Sequence, residues 1–592
     1  MPGPGDRGGV KQKPKNAKGA LLRIIGYLMK YRFIVLFLLL CSFASNIGNL
    51  MGPNFAGKAI AAASVGEGKV DMSIVFHYAK LMLIAYVGSN IMSFLVTIGM
   101  MHVGRHIAQN MRRDVFNKLM VLPVGYFDRH QAGDIISRVS YDIDVVSTCL
   151  STDVVQILTS LVTVIGSFTM MCTISLPLVL CMVFTIPVSI MFTRYMSKRT
   201  RPLYSKRSAS YGVMNGFVEE MFTGQKTILA YAHEDYVCDQ FSTINQNAAT
   251  AYKNADGLGM TMGPTIGMIS NIGLSAIGMG GAALYLYNIV NLGQISSFIL
   301  YSRKFSGPIN EIANITNEIF SALAAAERVF QLLDEPEEVK DLYDAVELKE
   351  CKGDVRAENV NFGYLPGKTI LHDLNLEAKP GQTVAIVGPT GAGKTTIINL
   401  LMRFYDVDSG AIYVDGNECR AYTMNSLRHS YSMVLQDTWV FRGTIFDNIA
   451  YGKEGATMDE VVAAAKAAHN HNYIMRLPQG YNTVIHEDGG NISKGQKQLL
   501  TIARAMLFDT HMLILDEATS NVDTNTERRV QKAMRSLMDG KTCFVIAHRL
   551  STIQNADKIL VVDHGDVVEQ GTHEELMVQK GFYYKLYASQ FE

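Results

Sequence analysis

The residues with the clearest chemical meaning form the run Gly388-Pro389-Thr390-Gly391-Ala392-Gly393-Lys394-Thr395, a full match to GxxxxGK[ST]. The apolar run Thr383–Val387 before it reads as a short buried strand, and Thr395–Met402 after it has a helical pattern. Glycines let backbone N–H groups wrap around a phosphate, and the helix N-terminus adds partial positive charge. Lys394 can then reach β- and γ-phosphates, while the Thr395 hydroxyl can ligate Mg²⁺. Residues Gly388 to Thr396, with Thr396 closing the turn, are therefore candidate nucleotide contacts.

Two further strand ends supply reactive groups. Met512-Leu-Ile-Leu515 runs into Asp516-Glu517, which suits a buried strand delivering one carboxylate to a metal and the next to an attacking water. Thr542-Cys-Phe-Val-Ile-Ala547 ends in His548, where an imidazole could meet a γ-phosphate. The implied chemistry is transfer of a phosphoryl group to water, with Mg²⁺ held by Thr395 and Asp516.

These residues need an α/β domain to position them, and the second half of the chain reads as one. The first half does not. Of 592 residues 48% are hydrophobic and 18% charged, against about 25% charged in ordinary soluble domains. Apolar runs of the ~20 residues that cross a bilayer fall near 33–55, 74–101, 154–174, 176–197, 260–287 and 294–318, and none recurs after 320. The two connections after the second and fourth runs, about 50 and 60 residues long, are rich in helix formers. Loops of that size without structure are uncommon, so the spanning helices are expected to continue beyond the bilayer and meet at short elbows.

The basic residues Arg7, Lys11, Lys13, Lys15 and Lys18 precede the first run, and both long connections are rich in Lys and Arg. The turn at Ser175–Pro177 and the stretch Ile289–Gln294 carry no charge. Positive residues mark the cytoplasmic side, so a multi-pass protein of the cytoplasmic membrane with both termini and the α/β domain in the cytoplasm is expected. The expected domains are a disordered basic N-terminus at 1–18, a transmembrane domain at 19–320, a linker at 321–345 and the α/β domain at 346–592. Lys+Arg and Asp+Glu are both 54, and no charge excess points to a nucleic-acid partner. The eight cysteines lack CxxC spacing, against a zinc site or disulfide framework.

Within the apolar runs, Asn46, Asn49, Asn90 and Asn271 read as residues that bond across helices. Arg303 and Lys304 stand out, because a cation at mid-helix costs roughly 2.5–3.5 kcal/mol even on insertion scales. Two readings stay open for them: a wet, substrate-contacting cavity, or an interfacial or structural position.

The order of these elements resembles the ATP-binding cassette (ABC) family, and the whole chain is similar to half-transporters of its exporter branch. The resemblance implies a six-span α-helical transmembrane domain of the type IV exporter fold, fused to an α/β P-loop ATPase, with ATP and Mg²⁺ as cofactors. Tyr364 in NFGY matches the aromatic that stacks on adenine, and Gln436 in VLQD matches the glutamine that senses Mg²⁺ and the attacking water. Glu517 and His548 match the catalytic glutamate and switch histidine, and Asp523 closes the family's D-loop segment Ser520-Asn-Val-Asp523. Ile492-Ser493-Lys494-Gly495-Gln496 stands at the signature position, where the family's residues touch ATP held by a second cassette. In the membrane half, elbows near Arg138–Asp144 and Glu219–Thr227 match the cytoplasmic loops that dock on cassettes.

The usual signature is LSGGQ, and this chain carries Lys494 in place of its first glycine while keeping Glu517 and His548. That mixture resembles the catalytically complete chain of heterodimeric multidrug exporters, whose second ATP site is degenerate. The expected partner is a second half-transporter, with a homodimer as the alternative. The expected activity is ATP-driven efflux of amphipathic small molecules, drugs or lipids. A peptide exporter and an ATP-gated channel or sensor on the same scaffold are the competing readings. The short basic N-terminus has no room for a processing peptidase, and an intact Glu517 is more than a gate needs.

Overall fold

The computed structural model describes residues 16–64, 70–183, 185–436, 438–486, 490–516, 524–547 and 553–591. The chain forms two compact units, Met1–Met120 with Ala132–Glu335, and Val121–Gln131 with Pro336–Glu592.

The first unit is helical. Its helices are α1 (Ala17–Met29), α2 (Arg32–Ala63) and α3 (Met72–Leu119); the short α4 (Val124–Arg129) belongs to the second unit. Then come α5 (Ala132–Ile174), α6 (Leu176–Val183), α7 (Thr185–Thr223), α8 (Gln225–Ala230), α9 (Glu234–Gly259), α10 (Met262–Leu286) and α11 (Leu292–Asp334). Among the described residues, four helical stretches are long and apolar enough to cross a membrane: α2, α3, α5 and the pair α9–α10. The apolar run 176–197 is shared between α6 and α7, and the run 294–318 lies in α11, which continues through the first part of the expected linker to Asp334. At 48 residues α3 is more than twice the ~20 needed to cross. Its surplus takes up much of the connection between the second and third apolar runs, leaving helix where a loop would otherwise stand.

Proline chemistry organises the seam between α2 and α11. Pro53 lies inside α2 and has no N–H to offer the carbonyl of Asn49 one turn earlier. Lys304 Nζ on α11 donates to that carbonyl at 2.6 Å and also to the Asn49 side chain, with its ammonium over the Tyr86 ring. Tyr301 Oη donates to Leu50 O at 2.6 Å and Ser297 Oγ to Pro53 O at 2.9 Å, so one face of α11 serves successive carbonyls around the proline. Glycine lets the helices approach here: a Cβ on Gly57 would stand 1.8 Å from Ser297 Oγ. Lys304 is thus tied to α2 by two hydrogen bonds, which supports the structural reading of this cation. Lys304→Met leaves the Asn49 carbonyl without that donor in an apolar setting and is expected to cost about 1–3 kcal/mol. A lower midpoint in thermal unfolding of the detergent-solubilised protein checks this, and an unchanged midpoint refutes it.

The first elbow lies elsewhere than the sequence reading put it. Arg138–Asp142 is a π-helical turn inside α5. There the buried Asp142 accepts two hydrogen bonds from Arg328 of α11, at 2.9 and 2.6 Å. The short helix that clusters with the α/β unit is α4, about ten residues earlier. Pro123, at φ −65° and extended ψ, starts it, and His130, also extended, ends it. The second elbow region runs through Gly224 into α8, which buries none of its residues.

Among the described residues, the second unit holds three sheets. Their strands are β1 (Val355–Phe362), β2 (Leu371–Ala378), β3 (Thr383–Val387), β4 (Ser409–Val414), β5 (Asn417–Glu418) and β6 (Tyr431–Val434). The rest are β7 (Gly443–Thr444), β8 (Val484–Ile485), β9 (Met512–Asp516), β10 (Thr542–Ile546), β11 (Lys558–Asp563) and β12 (Asp566–Gly571). The main sheet has the order β12-β11-β3-β10-β9-β6, parallel from β11 to β6 with β12 as an antiparallel edge. Its central strands are continuous apolar runs buried on both faces, the pattern of a covered parallel sheet. A separate antiparallel sheet, β2-β1-β4-β5, shares a core with one face of the main sheet through Val355, Leu374, Ile386, Ile514 and Phe544. The other face packs on helices through Leu499, Ile502, Val530 and Leu537.

Candidate functional site

In an open parallel sheet the chain exits at the carboxyl ends of the strands are where ligands bind. The register here aligns four of them. Ile546 of β10 pairs with Ile386 of β3 on one side and Asp516 of β9 on the other, and Leu515 of β9 pairs with Val434 of β6. Neighbouring strands lie ~4.8 Å apart. The chain exits of these four adjacent strands therefore share one edge of the sheet, although the strands are far apart in sequence. Gln436 is described and exposed. Glu517, His548 and the D-loop residue Asp523 lie outside the described residues.

After β3 the loop from Gly388 to Gly393 turns into helix α12 (Lys394–Leu401). Three glycines take positive φ: 154° at Gly388, 85° at Gly391 and 108° at Gly393. Gly388 is also crowded, since a Cβ there would lie 2.0 Å from the carbonyl oxygen of Val562 in β11. Lys394 is only 8% exposed, and its Nζ donates to the carbonyls of Gly388 (2.7 Å) and Pro389 (2.9 Å) inside the curl of the loop. Burial pulls this ammonium below the usual lysine range, and the nearby Asp516 carboxylate pushes it part of the way back. The amides of the first turn of α12 have no partner inside the helix. A buried cation, free first-turn amides and a loop whose backbone is crowded at Gly388 and Gly393 together fit an anionic phosphate chain.

The donors for a metal fit Mg²⁺. Thr395 at the helix start is exposed, Asp516 is half-buried at its strand end, and Gln436 follows the neighbouring strand, so the set is all oxygen. Among the described residues no three His, Cys, Asp or Glu side chains gather into a metal group. One carboxylate, a hydroxyl and the substrate's own phosphates are the usual arrangement for Mg²⁺.

Tyr364 stands over the start of α12. Its hydroxyl donates to Thr396 Oγ1 at 3.3 Å and accepts from Asn399 Nδ2 at 3.0 Å, and its ring stays partly exposed. A neighbour missed by the sequence reading packs against its ring. Tyr405 meets Tyr364 edge-on with ring centroids 5.0 Å apart, and the Tyr405 hydroxyl donates to Asp128 of α4. Burial and the Asp128 carboxylate push the Tyr405 phenol well above its ordinary range, so it stays a donor. Gly125 of α4 makes room for this, since a Cβ there would lie 2.9 Å from the Tyr405 ring. Nothing in the local sequence pairs residues 277 positions apart; the link exists only in the folded unit.

The signature residues open another helix, α13 (Lys494–Phe508). Ser493 is its N-cap and accepts from Gln496 N at 3.3 Å. Lys494, the first helical residue, is exposed, while Gly495 and Gln496 are buried. The Gln496 Oε1 atom is buried with no hydrogen-bond partner among the described residues. In the helical unit Lys304 is tied to Asn49, as above, and Arg303 is exposed. Of the four asparagines, Asn46 accepts from Thr163 of α5 (3.0 Å) and Asn49 is bound by Lys304, both across helices. Asn90 instead bonds back to Tyr86 in its own helix.

Residues 35–309 match the family model for an ABC transporter transmembrane region, and residues 371–520 match that for an ABC transporter. The chain is 42% identical over 536 residues to a fatty acid ABC transporter ATP-binding/permease protein of Mycobacterium bovis, covering 90% of this chain and 85% of that one. It is 33% identical over 586 residues to an ATP-dependent lipid A-core flippase of Methylobacillus flagellatus, covering 98% of each. Among solved structures it is similar to a bacterial Atm1-family ABC exporter with ATP bound, with a TM-score of 0.75, 28% identity and coverage of 95% of this chain and 98% of that one. With a helical membrane region and an ATP-hydrolysing cassette in one chain, this protein belongs to the ABC transporter family, as an exporter.

Proposed function

We propose that the protein exports lipid-like amphiphiles across the cytoplasmic membrane as one half of a dimer, its cassette and both termini in the cytoplasm. The observation that carries this reading is the alignment of the β3, β10, β9 and β6 chain exits beneath a phosphate-binding loop, in a chain whose other unit is built of membrane-length helices. The amphiphile class is supported by relatives named for fatty acid and lipid A-core substrates. In this reading the loop residues Gly388–Thr396 hold the phosphates of ATP, Lys394 neutralises their charge, and Tyr364 takes the adenine. Thr395, Asp516 and Gln436 hold Mg²⁺, which supplies charge neutralisation at the phosphates. Glu517 draws the proton from the attacking water and His548 meets the γ-phosphate. Ser493, Lys494, Gly495 and Gln496 face ATP on the partner's loop. ATP binding favours the closed cassette pair and hydrolysis releases it, a two-state shift driven by differential affinity. ATP-dependent movement of a fluorescent fatty acyl amphiphile into inverted vesicles tests the reading; accumulation independent of ATP refutes it.

The partner is proposed to be a different half-transporter. Lys494 is exposed at the first position of α13, where a glycine would let backbone approach a phosphate. A lysine there adds bulk to the site capped by this chain, while the site using its own Walker residues keeps Glu517. Lys494→Gly separates the two assemblies. In a heterodimer the weak site contributes little turnover, so total ATPase activity is expected to change by less than about twofold. In a homodimer every site carries the lysine, and a change of about tenfold, ~1.4 kcal/mol in barrier, is expected. Full substrate-stimulated activity from the chain purified alone as a symmetric dimer would sink the heterodimer.

A further inference from the structure

Helix α11 carries a carboxylate where the apolar helices pack. Glu311 is fixed at its depth by its neighbours on α5. Its Oε2 accepts from Gln156 Nε2 at 2.9 Å and from Ser160 Oγ at 3.3 Å. On the same helix Val155 packs with Leu38, Cys41, Val96 and Met100 on one side of that level, and Thr163 bonds Asn46 on the other. Glu311 therefore lies level with residues between Leu38 and Asn46 of α2, inside that helix's apolar run.

An ionised side chain at this depth is costly if it faces lipid, and such residues turn instead to a water-filled path or a partner. Glu311 is exposed in the chain, and its two neutral donors both bind one oxygen. The other oxygen, Oε1, has no hydrogen-bond partner among the described residues, and no cation pairs with Glu311 there. The nearest lysine along α11, Lys304, is two helical turns away and bound to Asn49. The carboxylate is thus oriented by one edge and open at the other, which suits electrostatic pairing with a ligand cation.

We propose that Glu311, oriented by Gln156 and Ser160, is a cation-recognising subsite on the export path, taking the ammonium group of an amphiphilic substrate. This rests on the amphiphile-export reading. The ammonium could belong to an amine-bearing lipid headgroup or to a free cationic amphiphile, and the test separates these.

The experiment uses the transporter in its native assembly in lipid nanodiscs, with decyltrimethylammonium, decanoate and decanol as probes below their micelle-forming concentrations. Half-stimulating concentrations for ATPase activity are compared for wild type, Glu311→Gln and Glu311→Asp. Glu311→Gln is expected to raise the value for decyltrimethylammonium about tenfold, the loss of one charge-assisted contact. For decanoate and decanol the shift is expected to stay under about twofold, and Glu311→Asp falls between. Binding of a fluorescent ATP analogue reports that each variant is folded. Repeating the assay with short-chain phosphatidylethanolamine against phosphatidylglycerol identifies the source: an ethanolamine response lost in Glu311→Gln assigns the lipid headgroup, and its absence beside a decyltrimethylammonium response assigns the free amphiphile. Equal shifts for all three probes, or none, overturn the subsite. If decanoate but not the cation stimulates wild type, export of amphiphiles stands and the Glu311 assignment falls. If no probe stimulates wild type, the export reading itself fails.

Discussion

Glu517→Gln is expected to lower steady-state ATP turnover by roughly 10²–10⁴-fold, the usual contribution of a general base, while ATP affinity changes by less than about threefold. The amide keeps the size and hydrogen-bonding reach of the carboxylate but cannot take a proton from water. Binding depends on other groups: the loop between β3 and α12, the buried Lys394, and Tyr364 over Thr396 and Asn399. Glu517 follows directly on Asp516, whose register beside Ile546 brings the chain to the edge where the loop begins. Phosphate release and equilibrium binding of a fluorescent ATP analogue, measured on the same preparation, separate the two effects. Hydrolysis within a few-fold of wild type would remove Glu517 from the proton-accepting role.

The second large effect is expected at Gly388. A methyl group there would stand 2.0 Å from Val562 O, at a φ of 154° that side chains rarely adopt. Val562 belongs to β11, which is held between β3 and β12, so its carbonyl cannot simply move aside. The loop must shift instead, and with it the Gly388 carbonyl that anchors Lys394. Gly388→Ala is therefore expected to weaken ATP binding at least about a hundredfold, ~2.7 kcal/mol, with a lower unfolding midpoint. Gly391→Ala serves as a comparison of φ alone, because a Cβ there meets nothing within 4 Å. Calorimetric titration with ATP checks both, and wild-type affinity in Gly388→Ala would show that the loop accommodates the methyl group.

Chemistry that depends on short stretches of chain was legible in the sequence. The phosphate loop is contiguous because glycine turn, lysine and helix start must follow one another within a few residues. The buried strands Met512–Asp516 and Thr542–Ile546 showed as apolar runs for the same local reason. Membrane-length helices were legible because lipid demands long apolar runs. Reading polar residues inside those runs was harder. Lys304 could line a cavity or serve structure, and its meaning depends on Pro53, 251 positions earlier, leaving the Asn49 carbonyl without an N–H. Glu311 lay unnoticed in the same apolar run, because its significance comes from Gln156 and Ser160 on another helix.

The first elbow was misplaced for a related reason: the stretch Arg138–Asp144 is polar and resembles a loop, yet Asp142 is buried in an ion pair with Arg328 that keeps α5 continuous. The docked helix is α4, marked in sequence by little more than Pro123. By itself, then, the sequence determined the two-part plan and named the candidates for handling a nucleotide, since helix length, strand burial and loop curvature are local demands on consecutive residues. Tertiary structure alone decided which strand ends share an edge, which short helix meets Tyr405, and which neutral groups hold the charges inside the apolar helices. Each of those depends on partners far away in the chain, and a hydrogen bond or ion pair has no signature until both partners are in place.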